Sequence, residues 1–101
     1  MPITVTNQNS ALTIALSGEI DHHAARELMS QLDDAIATRL PARLVLDLSG
    51  VGFMDSSGIA VLLRTLRQMQ QIGGTLRVCN IPVQARRVLD AAGVGRLITL
   101  D

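Results

Sequence analysis

Short apolar runs of strand length alternate with stretches that repeat their apolar residues at helical spacing, and this alternation leaves few folds open to the chain. Ile3 to Thr6 and Leu12 to Leu16 alternate apolar and polar residues. Between them Asn7-Gln8-Asn9-Ser10 has the chemistry of a turn, so the two segments predict a hairpin, with Gly18 closing the second strand. Leu28, Leu32, Ala35 and Ile36 recur at helical spacing; Asp21 stands where the N-cap of that helix belongs, and Pro41 stops it. Arg43 to Leu48 reads as a strand and Ser49-Gly50-Val51-Gly52 as a loop. A second helix begins at Asp55 or Ser56, buries Ile59, Leu62, Leu63, Leu66 and Met69, and ends at Gly73-Gly74. Thr75 to Cys79 predicts another strand, Pro82 to Gly93 bounds a third helix, and Leu97 to Leu100 predicts a last short strand. Strands separated by helices pair in parallel through right-handed crossovers. The expected fold is therefore α/β: a mixed, mainly parallel sheet of four to five strands, with an N-terminal hairpin. Each helix carries only one apolar stripe, so the helices are expected as a layer on the sheet.

Composition narrows the function more than the fold. A chain of 101 residues is the size of a single domain spanning 1–101, and 48% hydrophobic residues argue against disorder. Phe53 is the one aromatic residue, so the core is built from Leu, Ile, Val, Ala and Met, and no stacking platform exists for single-stranded nucleic acid. The formal net charge is zero, which leaves no basic excess to hold a phosphate backbone; nucleic acid is not an expected partner. Every basic residue is Arg. The only cysteine, Cys79, lies in an apolar strand and is expected to be a buried small hydrophobe; a lone thiol fits a reducing compartment. The N-terminus has no basic segment followed by a long apolar run, and no apolar stretch reaches membrane-spanning length. A cytoplasmic protein without a membrane span is the expectation.

The stretch Phe53-Met54-Asp55-Ser56-Ser57-Gly58 carries the chemistry, because it lies between a strand and the start of an amphipathic helix. Helix starts present unpaired amides and the positive end of the helix dipole, so a phosphate on Ser57 is tolerated within the protein. The same phosphate adds roughly −1.5 to −2 charges to a surface that a partner must cover. Ala60, Val61 and Arg64 follow Ser57 by three, four and seven residues and are expected on its face: two small, flat residues and one charge for an acidic partner, although spacing alone favours ordinary surface residues. Asp55 is read as the N-cap and Ser56 as a capping or first-turn residue. His22 and His23 are adjacent in a first helical turn and are expected to point in different directions. No Cys or carboxylate cluster at ligand spacing accompanies them, so neither metal nor cofactor is expected. Asp21, a histidine and Ser57 do not make a hydrolase triad, since no G-x-S-x-G elbow is present; nor is there a G-x-x-x-x-G-K-[ST] nucleotide loop. The chain is not expected to be an enzyme.

GEIDHHAA (Gly18 to Ala25), FMDSSG (Phe53 to Gly58) and VCNIPVQARRVLDAAGV (Val78 to Val94) resemble, in order and over nearly the whole chain, the STAS-domain family. The likeness is to its anti-sigma factor antagonists of the bacterial sporulation and stress-response type. That resemblance implies a partner-switching protein. The second serine of the DSSG motif, here Ser57, would be the phosphoacceptor, and the anti-sigma factor itself, a serine kinase of histidine-kinase-like ATPase fold, would phosphorylate it. The unphosphorylated form would bind the anti-sigma factor and free the sigma factor, and a serine phosphatase would reset the switch. Asp55 resembles the acidic position that shapes the acceptor loop, and Asp21 a position near the same docking surface. The expected contact set is Asp21, His22, Asp55, Ser56, Ser57, Gly58, Ala60, Val61 and Arg64. The alternative within the family is a non-switching scaffold subunit of a stress-sensing or lipid-transport complex. Relatives of this type commonly continue into a C-terminal helix, whereas this sequence stops at Asp101, as either a minimal member or a shortened form would. The resemblance then leaves open how the far sheet edge is covered, a partner or a second copy in a weak homodimer being the two candidates.

Overall fold

The computed structural model describes residues 3–8 and 11–101. Strand β1 (Ile3–Gln8) and strand β2 (Ala11–Ile20) are followed by helix α1 (His22–Arg39), strand β3 (Arg43–Met54), helix α2 (Ser56–Gln71) and strand β4 (Thr75–Cys79). Helix α3 (Val83–Ala91), a 3-10 turn at Val94–Arg96 and strand β5 (Thr99–Leu100) complete the chain. The sheet order is β1-β2-β3-β4-β5, with β1 antiparallel to β2 and every other pair parallel. This is the mixed sheet with an N-terminal hairpin that the pattern predicts. Asn7 and Gln8, expected in the turn, extend β1 instead, while Asn9 and Ser10 lie outside the described residues.

Because parallel strands follow one another across the sheet in chain order, right-handed crossovers carry each helix to the same face. Strand residues obey that arrangement with a period of two. Leu12, Ile14 and Leu16 of β2, Leu44, Leu46 and Leu48 of β3, and Leu76 and Val78 of β4 are buried in one cluster with Leu28, Leu32, Ile36, Leu62, Met69, Ala85 and Leu89 of the helices. The intervening Thr13, Ala15, Val45, Asp47 and Arg77 form a more open face. Cys79 falls on that face, half-buried rather than in the core, because its register pairs it with Asp47. Partial burial, with Asp47 and Asp101 adding to it, raises the Cys79 thiol pKa.

The largest departure from expectation lies between β2 and β3. Gly18 does not close β2, and Ser49-Gly50-Val51-Gly52 is not a loop: both strands run on in parallel to Ile20 and Met54. Register irregularities between Ala15 and Ser17 and between Gly18 and Glu19 absorb the twist. Gly18 takes the left-handed φ of 85° there. Gly50 permits close approach, since a Cβ at that position would lie 3.0 Å from Ser17 Cβ and 3.1 Å from Leu16 O. Glycines that look like terminators in the sequence thus serve as bulge residues. The extension places Ile20 opposite Met54, so the next residues, Asp21 and Asp55, begin their helices side by side.

Helix α1 ends at Arg39, and its C-cap Leu40, just before Pro41, adopts φ 45° and returns its amide to Ile36 O at 2.8 Å. Helix α2 buries Gly58, Val61, Leu62, Thr65 and Met69, whereas Ile59, Leu63 and Leu66 are only partly covered. Its apolar stripe is rotated relative to the sequence reading, because α2 packs between the sheet and α1. Thr65 is accommodated in the core by donating its hydroxyl to Val61 O at 2.8 Å. Arg64 leans on α1, where its Nη2 lies 2.7 Å from Asp33 Oδ2 and its Nε 3.1 Å from the same oxygen.

Candidate functional site

The site begins with two N-caps at the carboxyl edge of the sheet. Asp21 Oδ1 accepts the amides of His23 and Ala24, each at 3.0 Å. Asp55 Oδ1 accepts the amide of Ser57 at 2.7 Å, and the Asp55 backbone amide donates to Ile20 O at 3.2 Å. Both aspartates have extended backbones, as capping residues require. The pairing of β2 with β3 therefore brings the positive ends of two helix dipoles to one edge. Asp55→Ala is expected to lower stability by about 1 kcal/mol, read as a shifted urea midpoint. At Asp21 the Ala24 amide holds the carboxyl below its ordinary pKa of 3.8; desolvation opposes it, and the His23 amide and the nearby histidines add to the lowering. A depressed carboxylate stabilises the fold above its unfolded pKa, and the contribution is lost as pH falls through the folded one. The stability gap between the wild type and Asp21→Ala should accordingly be largest near neutral pH and shrink on acidification below about 4.

Ser56 and Ser57 occupy the first two positions of α2; Ser56 is exposed and Ser57 half-buried. Gly58 is buried, and its role is steric: a Cβ there would lie 2.4 Å from Met54 Cγ and 2.7 Å from Met54 Sδ. Met54 is wholly buried, so the first turn of α2 rests directly on its side chain. Gly58 thus shapes the turn and offers no side chain to a partner.

On the outer side, Ser56, Ala60 and Arg64 remain exposed, but Val61 does not. Val61 is 1% accessible and belongs to the core, which corrects the expectation that it flanks Ala60 on the docking face. The residue four after Ser57 points inward because α2 is buried along Gly58, Val61, Leu62 and Thr65. Arg64 keeps its outward position. Its side chain is 57% accessible, and its guanidinium is paired with Asp33. That ion pair raises the pKa of Arg64 through the hydrogen bond first and the charge second.

His22 and His23 are both exposed at the start of α1. Their rings do not diverge: the centroids lie 4.0 Å apart at a 38° tilt. His22 shares a groove of about 550 Å³ with Ala25, Arg26, Met29, Asp33 and Arg64. The structure therefore joins the α1 start to the outer face of α2 along the interhelical groove. Among the described residues no group of three or more His, Cys, Asp or Glu side chains is arranged to hold a metal ion.

Two features escape a reading of the sequence. Gln84 of α3 bonds both backbone groups of Met54, and Asp33 holds Arg64; the partners are 30 and 31 residues apart. No local spacing signals such pairs.

The sequence profile described as STAS domain matches residues 2–101. An anti-sigma F factor antagonist of Paenibacillus polymyxa is 34% identical over 100 residues, covering 99% of this chain and 86% of the relative. The crystal structure of an anti-sigma factor antagonist from Mycobacterium paratuberculosis superposes with a TM-score of 0.86 at 28% identity, covering 97% of this chain and 82% of that one. The Bacillus cell fate determinant SpoIIAA in its phosphorylated form shares the fold, with a TM-score of 0.72 at 24% identity over 98% of this chain and 90% of its own. Among the described residues no helix is long and apolar enough to cross a membrane.

Proposed function

The chain belongs to the STAS domain family, and from that premise we propose that it is an anti-sigma factor antagonist whose binding is switched off by phosphorylation of Ser57. One observation carries the reading. Ser57 stands in the first turn of α2, its amide anchored by Asp55, at an edge where a second helix also begins. A phosphoserine there meets the positive ends of two helices, which offset the neighbouring Asp21 and Asp55 carboxylates. The same group would sit under any partner that covers Ser56, Ser57 and Ala60. The SpoIIAA structure named above supports the reading at the level of the fold, which accommodates a phosphorylated form.

In the proposed cycle the unphosphorylated protein binds an anti-sigma factor that is also a serine kinase of histidine-kinase-like ATPase fold. The docking surface comprises Asp21, His22, Asp55, Ser56, Ser57, Ala60 and, once released from Asp33, Arg64, with Gly58 setting its shape. Ser57 Oγ attacks the γ-phosphorus of ATP. The Oγ–P bond forms, the bond from the γ-phosphorus to the β–γ bridging oxygen breaks, and ADP leaves. The hydroxyl proton passes to a base on the kinase or to water. A serine phosphatase hydrolyses the phosphoserine and restores binding.

Residue-mapped mass spectrometry tests this after incubation with a cognate anti-sigma-type serine kinase and ATP–magnesium. The expected product carries one phosphoryl group, on Ser57. A stable complex with no phosphate on Ser57 would instead mark a scaffold subunit.

A further inference from the structure

We propose that Gln84 is a positioning residue for the Ser57 turn, and that through it α3 sets how the acceptor hydroxyl is presented to the kinase. The proposal rests on Ser57 being the acceptor. Strand β4 ends at Cys79, whose partner on β3 is Asp47, yet β3 continues to Met54. On that side the last residue of β3 has no strand to pair with. Its amide nevertheless donates to Gln84 Oε1 at 2.8 Å, and its carbonyl accepts from Gln84 Nε2 at 2.7 Å.

A primary carboxamide carries one acceptor and one donor in a plane, like a peptide group, so it can stand in for a neighbouring strand. Only one orientation of the amide satisfies both bonds. On the opposite side of β3, Asp55 is held by Ile20 O. The residues leading into the turn are thus gripped from both sides, by β2 and by α3. Gln84 is itself fixed, because the adjacent Ala85 and Leu89 one turn on are buried in the core.

Met54 passes this grip upward. Its buried side chain lies directly under Gly58, the residue after Ser57. A displaced Met54 therefore displaces the acceptor turn, and a small misplacement of a reacting group is costly in rate.

The test uses the full chain with three substitutions. Gln84→Met keeps the length and removes both bonds. Gln84→Glu keeps the acceptor and sets a carboxylate oxygen against the Met54 carbonyl. Gln68→Met is the control, since it removes a comparable bond, from Gln68 Nε2 to Asp33 O, far from the turn. Amide hydrogen exchange at residues 54–58 should quicken roughly tenfold in both Gln84 variants and not in the control. With a cognate anti-sigma-type serine kinase and ATP–magnesium, kcat for Ser57 should fall roughly tenfold while KM stays within about twofold. Equal exchange at residues 54–58 in Gln84→Met and Gln68→Met overturns the proposal, as does a loss confined to KM. Wild-type protein that takes no phosphate on Ser57 overturns the acceptor reading and Gln84's part in phosphotransfer with it; the exchange data identify that case.

Discussion

Ser57→Asp should weaken the complex with the anti-sigma partner by about a hundredfold, roughly 2.7 kcal/mol. Aspartate at this position adds a charge beside the Asp55 carboxylate, whose Oδ1 lies 2.7 Å from the Ser57 amide. A partner closing over the turn must desolvate two like charges at once, and like-charge juxtaposition in an interface costs several kcal/mol. The fold itself should not suffer, because an acidic residue in the first turn of a helix gains roughly 0.3–1 kcal/mol from the dipole. Loss of binding without loss of stability is the signature. Ser57→Ala removes only a half-buried hydroxyl and should bind within about threefold of wild type while resisting inactivation by ATP. Calorimetric titration of the three proteins against one partner, with urea midpoints measured alongside, separates the cases. An aspartate variant that binds as tightly as wild type would remove charge exclusion as the mechanism.

Gly58→Ala is expected to destabilise the protein by up to about 2 kcal/mol, against the ordinary preference of a helix for alanine. Helix propensity favours alanine by about 1 kcal/mol. Here the new Cβ would sit 2.4 Å from Met54 Cγ, 2.7 Å from Sδ and 3.0 Å from Cε, within a fully buried side chain. Overpacking of that kind costs about 1–3 kcal/mol, and the flexible methionine relieves only part of it. The two effects separate in a double-mutant cycle. Met54→Ala alone should cost about 2–5 kcal/mol, but in that background Gly58→Ala should become stabilising by about 1 kcal/mol. A sign that does not reverse between the two backgrounds would show that Gly58 is not a steric requirement of Met54.

These two residues also show how far the chain can be read directly. The setting of Ser57 is legible because its signals are local: a strand, an acidic cap, two serines and an amphipathic helix lie within a few residues of one another, while its reading as a phosphoacceptor comes from the resemblance of the motif. Gly58 is legible as part of a motif, but its physical role is not, since that depends on the Met54 rotamer beneath it. Spacing from Ser57 puts Val61 outside, yet it is buried, while Ile59 of the predicted apolar stripe packs only partly against the core. Helical spacing names the residues that share a stripe, whereas the rotation of α2 against α1 and β4 decides which stripe is buried. Local spacing marks Arg64 as a charge for an acidic partner but cannot show that Asp33, 31 residues earlier, pairs with it.

The sequence by itself determined the alternation of strands and helices, the antiparallel start, the parallel remainder and the helix starts at Asp21 and Asp55. Periodicity and capping act over three or four residues, so they are written in adjacent letters. Tertiary structure alone decided that β2 and β3 run on together past Gly18 and Gly50, which sets the two helix starts side by side. It alone decided that Gln84 reaches Met54 across 30 residues. Register and side-chain pairing across the sheet depend on which surfaces meet once the helices have packed, and no local pattern in the chain encodes that meeting.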